Sequence, residues 1–370
     1  MTSSSRTYVS MNKSEFFFKL LQTELSGKRI QGCPLSTEAY HSLLNVSEIE
    51  TVMGMYCSAL MCNDFKLGKY DAIELYTILD DLKTRNQHVN EGLKSLVQLL
   101  REHDVKFVVV KGQTLAALYP HPEVRMPGDV DFYCDSRNFE KAKKVLEEHW
   151  QVQMQEDADG EQHLSFEHDD VHYEMHYRLM KFESSSNQKC FDKLVNEQPF
   201  SFIDVDGVDV PVLEPTMNLL YTFLHLYHHF IELGVGLRQF CDVAILVRQQ
   251  RFDKDKLQLY LKKLGFTNAF KAIGVVLVDR LGVEEDLFPY ALTEKDRKYE
   301  PAIAEIVMKR GNFGMYGRKN AVRSGIGYYW ETLQIKFSHY FGFFMLSPKE
   351  NTARMLFSVP KKIRQAIRRK

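Results

Sequence analysis

The hydrophobic period of this chain changes near Val105 and changes back at Pro215, and that double switch limits the fold more than any other feature. Over residues 14–103 apolar side chains recur at helical spacing, as in Phe16, Phe17, Leu20 and Leu21 and again in Leu93, Leu96, Leu99 and Leu100. At Val105 the run VKFVVVKG is short, β-branched and closed by glycine, the pattern of a buried strand. GQTLAALY then reads as a helical turn, VRMPGDVDFYCD as a strand punctuated by Pro127 and Gly128, and residues 138–150 as a helix. Beyond Trp150 alternation is stricter, in QVQMQ, QHLSFEH and VHYEMHYRL, and the last two are predicted to form a hairpin across Asp169-Asp170. SFIDV and VDVPV flank Asp206-Gly207, a dipeptide that favours two-residue hairpin turns. From Pro215 the helical period returns in MNLLYTFLHLYHHFIEL and LRQFCDVAILVRQQ. The expected class is α+β: an N-terminal helical region over 1–103, a sheet-bearing core over 104–214 and a C-terminal helical domain over 215–370.

Composition narrows the function classes. Among 370 residues, Lys+Arg 48 nearly balances Asp+Glu 49, so any contact with a polyanion must be local. At 44% hydrophobic and 26% charged, the chain has ordinary globular composition and is not a disordered or fibrous one. The longest apolar stretches, 272–278 and 341–346, fall far short of the roughly 20 residues that span a bilayer. MTSSSRTYVSMNKSEFFFKLLQTEL has no apolar core followed by a small-residue cleavage site, so a cytoplasmic location is expected. The six cysteines lack a CxxC pair, and reduced thiols without a structural zinc site are expected.

The chemistry concentrates around Asp129 and Asp131. Two apart on a predicted strand, they share a face while Val130 and Phe132 point the other way. Like charges this close are relieved by a bound cation, a shared proton or water. Upstream stand Lys111-Gly112, a short helix, and Arg125 before Gly128. Glycine lets the backbone approach an anion, amides opening the helix can donate to phosphate, and Lys111 and Arg125 supply positive charge. Taken singly, Lys111 also reads as a strand-end surface lysine and Arg125 as half of an ordinary ion pair. In VHYEMHYRL the polar positions are His172, Glu174, His176 and Arg178. Three readings stay open there: Glu174 completes a three-carboxylate cluster for two Mg²⁺ ions, the face is solvated, or His172, Glu174 and His176 bind a transition metal.

FVVVKGQTLAALYP, VRMPGDVDF and VHYEMHYRL, in this order, resemble the nucleotidyltransferase superfamily of DNA polymerase β type. More closely they resemble its bacterial uncharacterised nucleotidyltransferase family, in which KG replaces the usual Gly-Ser. The resemblance covers residues 105–246 and extends to a His-rich helix segment at 224–229, to Arg238 and Asp242, and to GNFG at 311–314. It implies a nucleotidyltransferase-type mixed sheet core in which Asp129 and Asp131 are metal ligands and Glu174 is the third acid. Lys111 and Gly112 would contact nucleotide phosphates, with Arg125 and Gly128 in support. Gln113 stands where the wider superfamily has a phosphate-touching serine, so that contact falls to backbone amides, Lys111 or Thr114. The implied activity is Mg²⁺- or Mn²⁺-dependent transfer of an NMP from an NTP to a small-molecule or sugar acceptor, with release of pyrophosphate. Gln113 also motivates a second reading, a catalytically decayed nucleotide-binding or interaction module. A third, weaker one is a metalloenzyme centred on His172 and His176.

In the C-terminal region His225 and His229 are i and i+4 on one helix face, without the Glu of HExxH, and are expected either to wall a substrate cleft or to pack within the helices. Arg238 and Asp242, also i and i+4, are candidate cleft residues or an intrahelical pair. MKRGNFGMYGRKN reads as an anion-binding loop or a bland basic one. VPKKIRQAIRRK reads as a weak membrane-surface contact or a solvated terminus.

Overall fold

In the structure, a computed structural model, residues 12–156, 162–318 and 325–358 are described. The VPKKIRQAIRRK tail lies outside them. The chain divides into two compact units. The first contains the described residues up to Leu44, Val52–Lys181 and Gln198–Asn218; the second contains Asn45–Thr51, Phe182–Glu197 and the described residues from Leu219 onward.

The first unit opens with α1 (Lys13–Ser26), α2 (Thr37–Ile49), α3 (Met53–Cys62) and α4 (Lys69–Glu102). A capping box starts α1: Glu15 N–H donates to Asn12 Oδ1 at 2.8 Å while Asn12 N–H donates to the Glu15 carboxylate at 3.4 Å. Along α4, Leu93, Leu96, Val97 and Leu100 are buried at helical spacing and form the stripe that covers the sheet. Next come β1 (Val108–Val110), α5 (Gly112–Ala116), β2 (Val130–Tyr133), α6 (Ser136–Trp150), β3 (Gln155–Glu156), β4 (His163–His168) and β5 (Val171–His176). After α7 (Ser185–Asn196), which belongs to the second unit, β6 (Phe200–Val205) and β7 (Val208–Leu213) complete the sheet.

The seven strands run in the order β3-β4-β5-β2-β1-β7-β6. β2 pairs parallel with β5 and β1 parallel with β7, while the remaining pairs are antiparallel, so the sheet is mixed. Both expected hairpins form. Asp169 and Asp170 have φ of 48° and 57°, and Asp206 and Gly207 have 49° and 83°, the doubly positive signature of a turn whose twist matches its strands. Val130, Phe132, Tyr173 and Met175 pack with α4 and α6 in the core, which fixes the opposite sheet face as the one carrying Asp131 and Glu174.

Two expectations are corrected locally. Asp129 lies one residue ahead of β2, and of QVQMQ only Gln155 belongs to a strand. α7 is an element that strand alternation does not announce. Ser184 caps it by accepting from Asn187 N–H at 3.4 Å, and Phe191, Leu194 and Val195 bury its apolar face.

The second unit is helical: α8 (Pro215–Glu232), α9 (Leu237–Gln249), α10 (Lys254–Leu264), α11 (Thr267–Leu281), α12 (Glu294–Arg297), α13 (Glu300–Arg310), α14 (Gly325–Gly342) and α15 (Pro348–Ala353). Glu50 opens α9 by accepting Leu237 N–H on its carboxylate at 3.1 Å and Arg238 N–H on its carbonyl at 3.3 Å. A buried polar network ties the C-terminal helices together. Glu232 takes Tyr340 Oη at 2.6 Å, the Lys336 ammonium, and the Arg354 guanidinium at 3.5 Å, and Arg354 also meets Glu350 at 3.8 Å. Among the described residues, no helix is long and apolar enough to cross a membrane.

Candidate active site

The parallel pairing of β2 with β5 sets Asp131 directly opposite Glu174 and Tyr133 opposite His176. Strand periodicity then puts Asp131, Glu174 and His176 on one face, away from the core. Asp131 is 7% exposed and His176 5%, so their charges interact with little screening. Asp129 stands just before this row. β4 adds His163, which its antiparallel register places opposite His176.

Lys111 closes β1 with φ 58°, and its Nζ lies 2.9 Å from Asp131 Oδ1. His176 Nε2 reaches the same oxygen at 2.9 Å and Glu174 Oε2 at 3.3 Å, while His163 Nε2 lies 3.5 Å from Glu174 Oε1. Burial alone would raise the Asp131 carboxyl, but the Lys111 ammonium and the His176 hydrogen bond outweigh it and hold Asp131 well below the usual carboxylate range. Burial likewise works against the charged form of His176, yet its hydrogen bonds to Asp131 and Glu174 carry it above the ordinary imidazole value. Asp129 goes the other way: withdrawal from water, followed by the charges of Asp131 and Glu174, pushes its carboxyl up.

The glycine after Lys111 is favoured by its backbone conformation and sits in a tight space. Gly112 has φ 48°, and a Cβ there would lie 3.2 Å from the carbonyl oxygen of Asp129, so the Lys111-Gly112 corner sits directly against the Gly128-Asp129 loop. Thr114 Oγ1 donates to the Lys111 carbonyl at 2.7 Å and braces the same corner. Arg125 is buried, and its carbonyl accepts from Asn86 Nδ2 of α4 at 3.1 Å. The structure thus gathers Lys111, Gly112, Asp129, Asp131, Glu174 and His176 in one place.

The family model described as uncharacterised nucleotidyltransferase matches residues 43–282 of this chain. The chain belongs to that family. Comparison with curated proteins finds no match. Among solved structures, an antigenic nucleotidyltransferase-like protein from Paracoccidioides brasiliensis is 14% identical, with 54% of this chain and 94% of that chain covered and a TM-score of 0.35.

Not every expected residue of this nucleotidyltransferase family member faces the acids. Gln113 turns toward α4, where its Nε2 donates to Asn86 Oδ1 at 3.0 Å and Asn90 Oδ1 at 2.6 Å. With Asn86, Asn90, Lys83, Glu123 and Asp206 it lines a cavity of about 370 Å³ whose lining includes none of the three acids. His172 shares the face of Glu174 and His176 and lies near enough to act on the Asp129 carboxyl, but its ring meets Glu167 at 3.9 Å and it stays outside the ligand cluster. The histidine cluster that forms is His163, Glu174 and His176, whose ligand atoms lie within 4.8 Å of one another. The physical reason is strand rise: residues two apart are separated by about 6.6 Å, so His172 and His176 are spread along β5, whereas His163 is a direct cross-strand neighbour.

In the second unit His225 and His229 face each other at 3.1 Å between their Nε2 atoms, and the neighbouring His228 is half-buried against Arg354 at 3.1 Å. Burial and the Arg354 charge hold His228 well below the ordinary imidazole value. Arg238 and Asp242 lie on α9, with Asp242 buried. The glycines of the GNFG segment answer to packing. A Cβ at Gly314 would lie 2.3 Å from the Leu233 carbonyl oxygen, and one at Gly311 would lie 2.6 Å from Ile49 Cγ2. Arg318 spans the same segment, donating to the Gly314 carbonyl at 2.8 Å and to Thr332 Oγ1 at 3.0 Å.

Proposed function

We propose that this chain transfers a nucleotidyl group from a nucleoside triphosphate to a hydroxyl or phosphate oxygen of a small-molecule or sugar acceptor. The observation that carries the reading is the in-register placement of Asp131 against Glu174, with Asp129 at the strand entrance. The acceptor oxygen attacks the α-phosphorus, the bond to the bridging oxygen breaks, and pyrophosphate leaves with that electron pair. Glu174, less buried than Asp131, would take the acceptor proton or serve as the third acid.

The donor set fits a hard divalent cation. Asp131 and Glu174 stand opposite each other with Asp129 at the strand entrance, and besides withdrawal from water it is the charges of Asp131 and Glu174 that push the Asp129 carboxyl up, a repulsion that a cation would relieve. Asp129, Asp131 and Glu174 would hold Mg²⁺ or Mn²⁺, which when bound would supply Lewis-acid polarisation of phosphoryl oxygens. Lys111, paired with Asp131 in the fold, would turn its ammonium to a phosphate oxygen, and Gly112 would let the backbone come close to it. Asp131 Oδ1 already meets the Lys111 ammonium and the His176 imidazole. That observation favours a second reading, a module that binds nucleotide without transferring it.

Thermal unfolding with ATP, GTP, CTP and UTP, each with and without Mg²⁺ or Mn²⁺, tests the first step. A metal-dependent rise with one nucleotide is expected, since a ligand of the native state raises apparent stability. It should vanish in Glu174→Gln and in Asp131→Asn. Pyrophosphate release across an acceptor panel then separates transfer from binding alone. Absence of any nucleotide shift in the wild type would refute both readings.

A further inference from the structure

We propose that Glu24, Cys62 and His121 form a site for a zinc-type divalent ion, separate from the carboxylate row. The three residues come from three parts of the first unit: Glu24 from α1, Cys62 from the last turn of α3, and His121 from the segment between α5 and β2. One carboxylate oxygen, the Cys62 sulfur and one imidazole nitrogen all lie within 4.8 Å of one another. Bonds of about 2.0–2.3 Å to a tetrahedral ion would draw such atoms to about 3.5 Å apart, a closing movement within reach of side-chain rotation.

Glu24 is 5% exposed, and the hydrogen bond it accepts from Ser58 Oγ at 2.9 Å comes from a neutral donor. A buried carboxylate left with neutral donors is costly unless it holds a proton or a cation. Cys62 and His121 are half-buried, so an ion has both a protein wall and an entry side.

The scaffold holding the three ligands is set without an ion. Asn63, which follows Cys62, ties the end of α3 to α1 by donating to Ala59 O at 2.7 Å and to Thr23 Oγ1, beside Glu24, at 3.4 Å. The His121 turn closes with Val124 N–H on the His121 carbonyl at 3.2 Å. It seats on α3 so closely that a Cβ at Gly54 would lie 2.1 Å from the Val124 carbonyl oxygen.

Thiolate, imidazole and carboxylate together select zinc or a like transition ion over Mg²⁺, which takes oxygen ligands. Three protein ligands leave a fourth position for water. On binding, the Cys62 thiol releases its proton to solvent as the sulfur–metal bond forms. The ion would fasten the segment that leads into the Gly128-Asp129 loop.

The test is titration of the chelator-treated full chain with Co²⁺. A thiolate-to-cobalt charge-transfer band saturating at one equivalent, displaced by Zn²⁺, is expected. It should be absent in Cys62→Ser, at least tenfold weaker in titration midpoint in His121→Ala and Glu24→Gln, and unchanged in Glu174→Gln. A folded wild type without the band, or a band that survives Cys62→Ser, overturns the proposal. If circular dichroism shows Cys62→Ser unfolded, the other two substitutions decide, and an unchanged midpoint in both overturns it. Because Mg²⁺ at the acids involves no thiolate, either outcome leaves the nucleotide reading to its own test.

Discussion

Replacing Lys111 with methionine isolates what holds the acidic row together before any ligand arrives. Methionine keeps an unbranched side chain of similar length, and the positive φ of 58° burdens both residues alike, so the substitution removes chiefly the charge. Nζ lies 2.9 Å from Asp131 Oδ1, and the two side chains are 17% and 10% exposed. At an effective dielectric of about 20 the gross attraction at that separation is about 6 kcal/mol, part of which offsets desolvation. Stripping one partner from a buried pair costs about 3–5 kcal/mol in practice. His176 Nε2 stays on the same oxygen, so the lower end, about 3 kcal/mol at pH 7, is expected. The sign with pH follows from Asp131 being held low in the fold. Its contribution is present above the unfolded value of about 3.9 and is lost as pH falls through the folded value. Without Lys111 the folded value rises, and the acid-side loss starts at higher pH. Urea unfolding of both proteins between pH 2 and 8 reads this directly: the gap should be near its full size above about pH 4 and narrow as pH falls below the unfolded value of about 3.9. A gap below about 1 kcal/mol at pH 7, the size of an exposed pair, or one that ignores acid, would refute the assignment of Lys111 as counter-ion.

His176→Gln should reveal the opposite sign. A histidine raised in the fold contributes stability that is complete below about pH 6.5 and is lost as pH rises through the folded value, so the wild-type advantage over the variant should shrink from pH 6 to pH 9 in the same assay. Gly92→Ala in α4 should destabilise despite a helix-propensity gain of about 1 kcal/mol, because the new Cβ would lie 2.5 Å from Tyr173 Oη and 3.1 Å from Val171 Cγ2. Placed in a Tyr173→Phe background, the same change should cost less or stabilise, which calorimetry of the double-mutant cycle measures.

Much of the sheet was legible because strand chemistry is local. Alternation in QHLSFEH and VHYEMHYRL, with Asp169-Asp170 between them, fixes a hairpin and assigns Glu174 to its polar face. What alternation does not carry is strand order. That β5 lies beside β2, with β3 and β4 running outward from it, is decided by how apolar faces close over α4 and α6, and only then does Glu174 stand opposite Asp131. The same limit hid His163, whose polar neighbour is set by register across the turn. Gln113 was misleading for a different reason. α5 is a single short helix, too brief for its own periodicity to aim a side chain, and its direction is settled by Asn86 and Asn90, which α4 presents one turn apart.

Lys111 shows how far residue type and position reach. Lysine followed by glycine at a strand end reads as a phosphate contact, and in the structure that ammonium is spent on Asp131. These two statements describe one device. Carboxylates crowded on this face repel one another, and the Lys111 ammonium with a His176 held above the ordinary imidazole value offsets part of that repulsion from within the chain. If the proposed function holds, Lys111 would have to give up Asp131 to a bound ion, and its ammonium, on a flexible stem beside the Gly112 corner, would then take a phosphate oxygen. On that argument Lys111→Met, while weakening the fold, should strengthen apparent Mg²⁺ affinity and weaken nucleotide affinity. Isothermal titration of the two ligands separately reads both, and a variant that lost affinity for both in parallel would show that the lysine acts only by holding the site in shape.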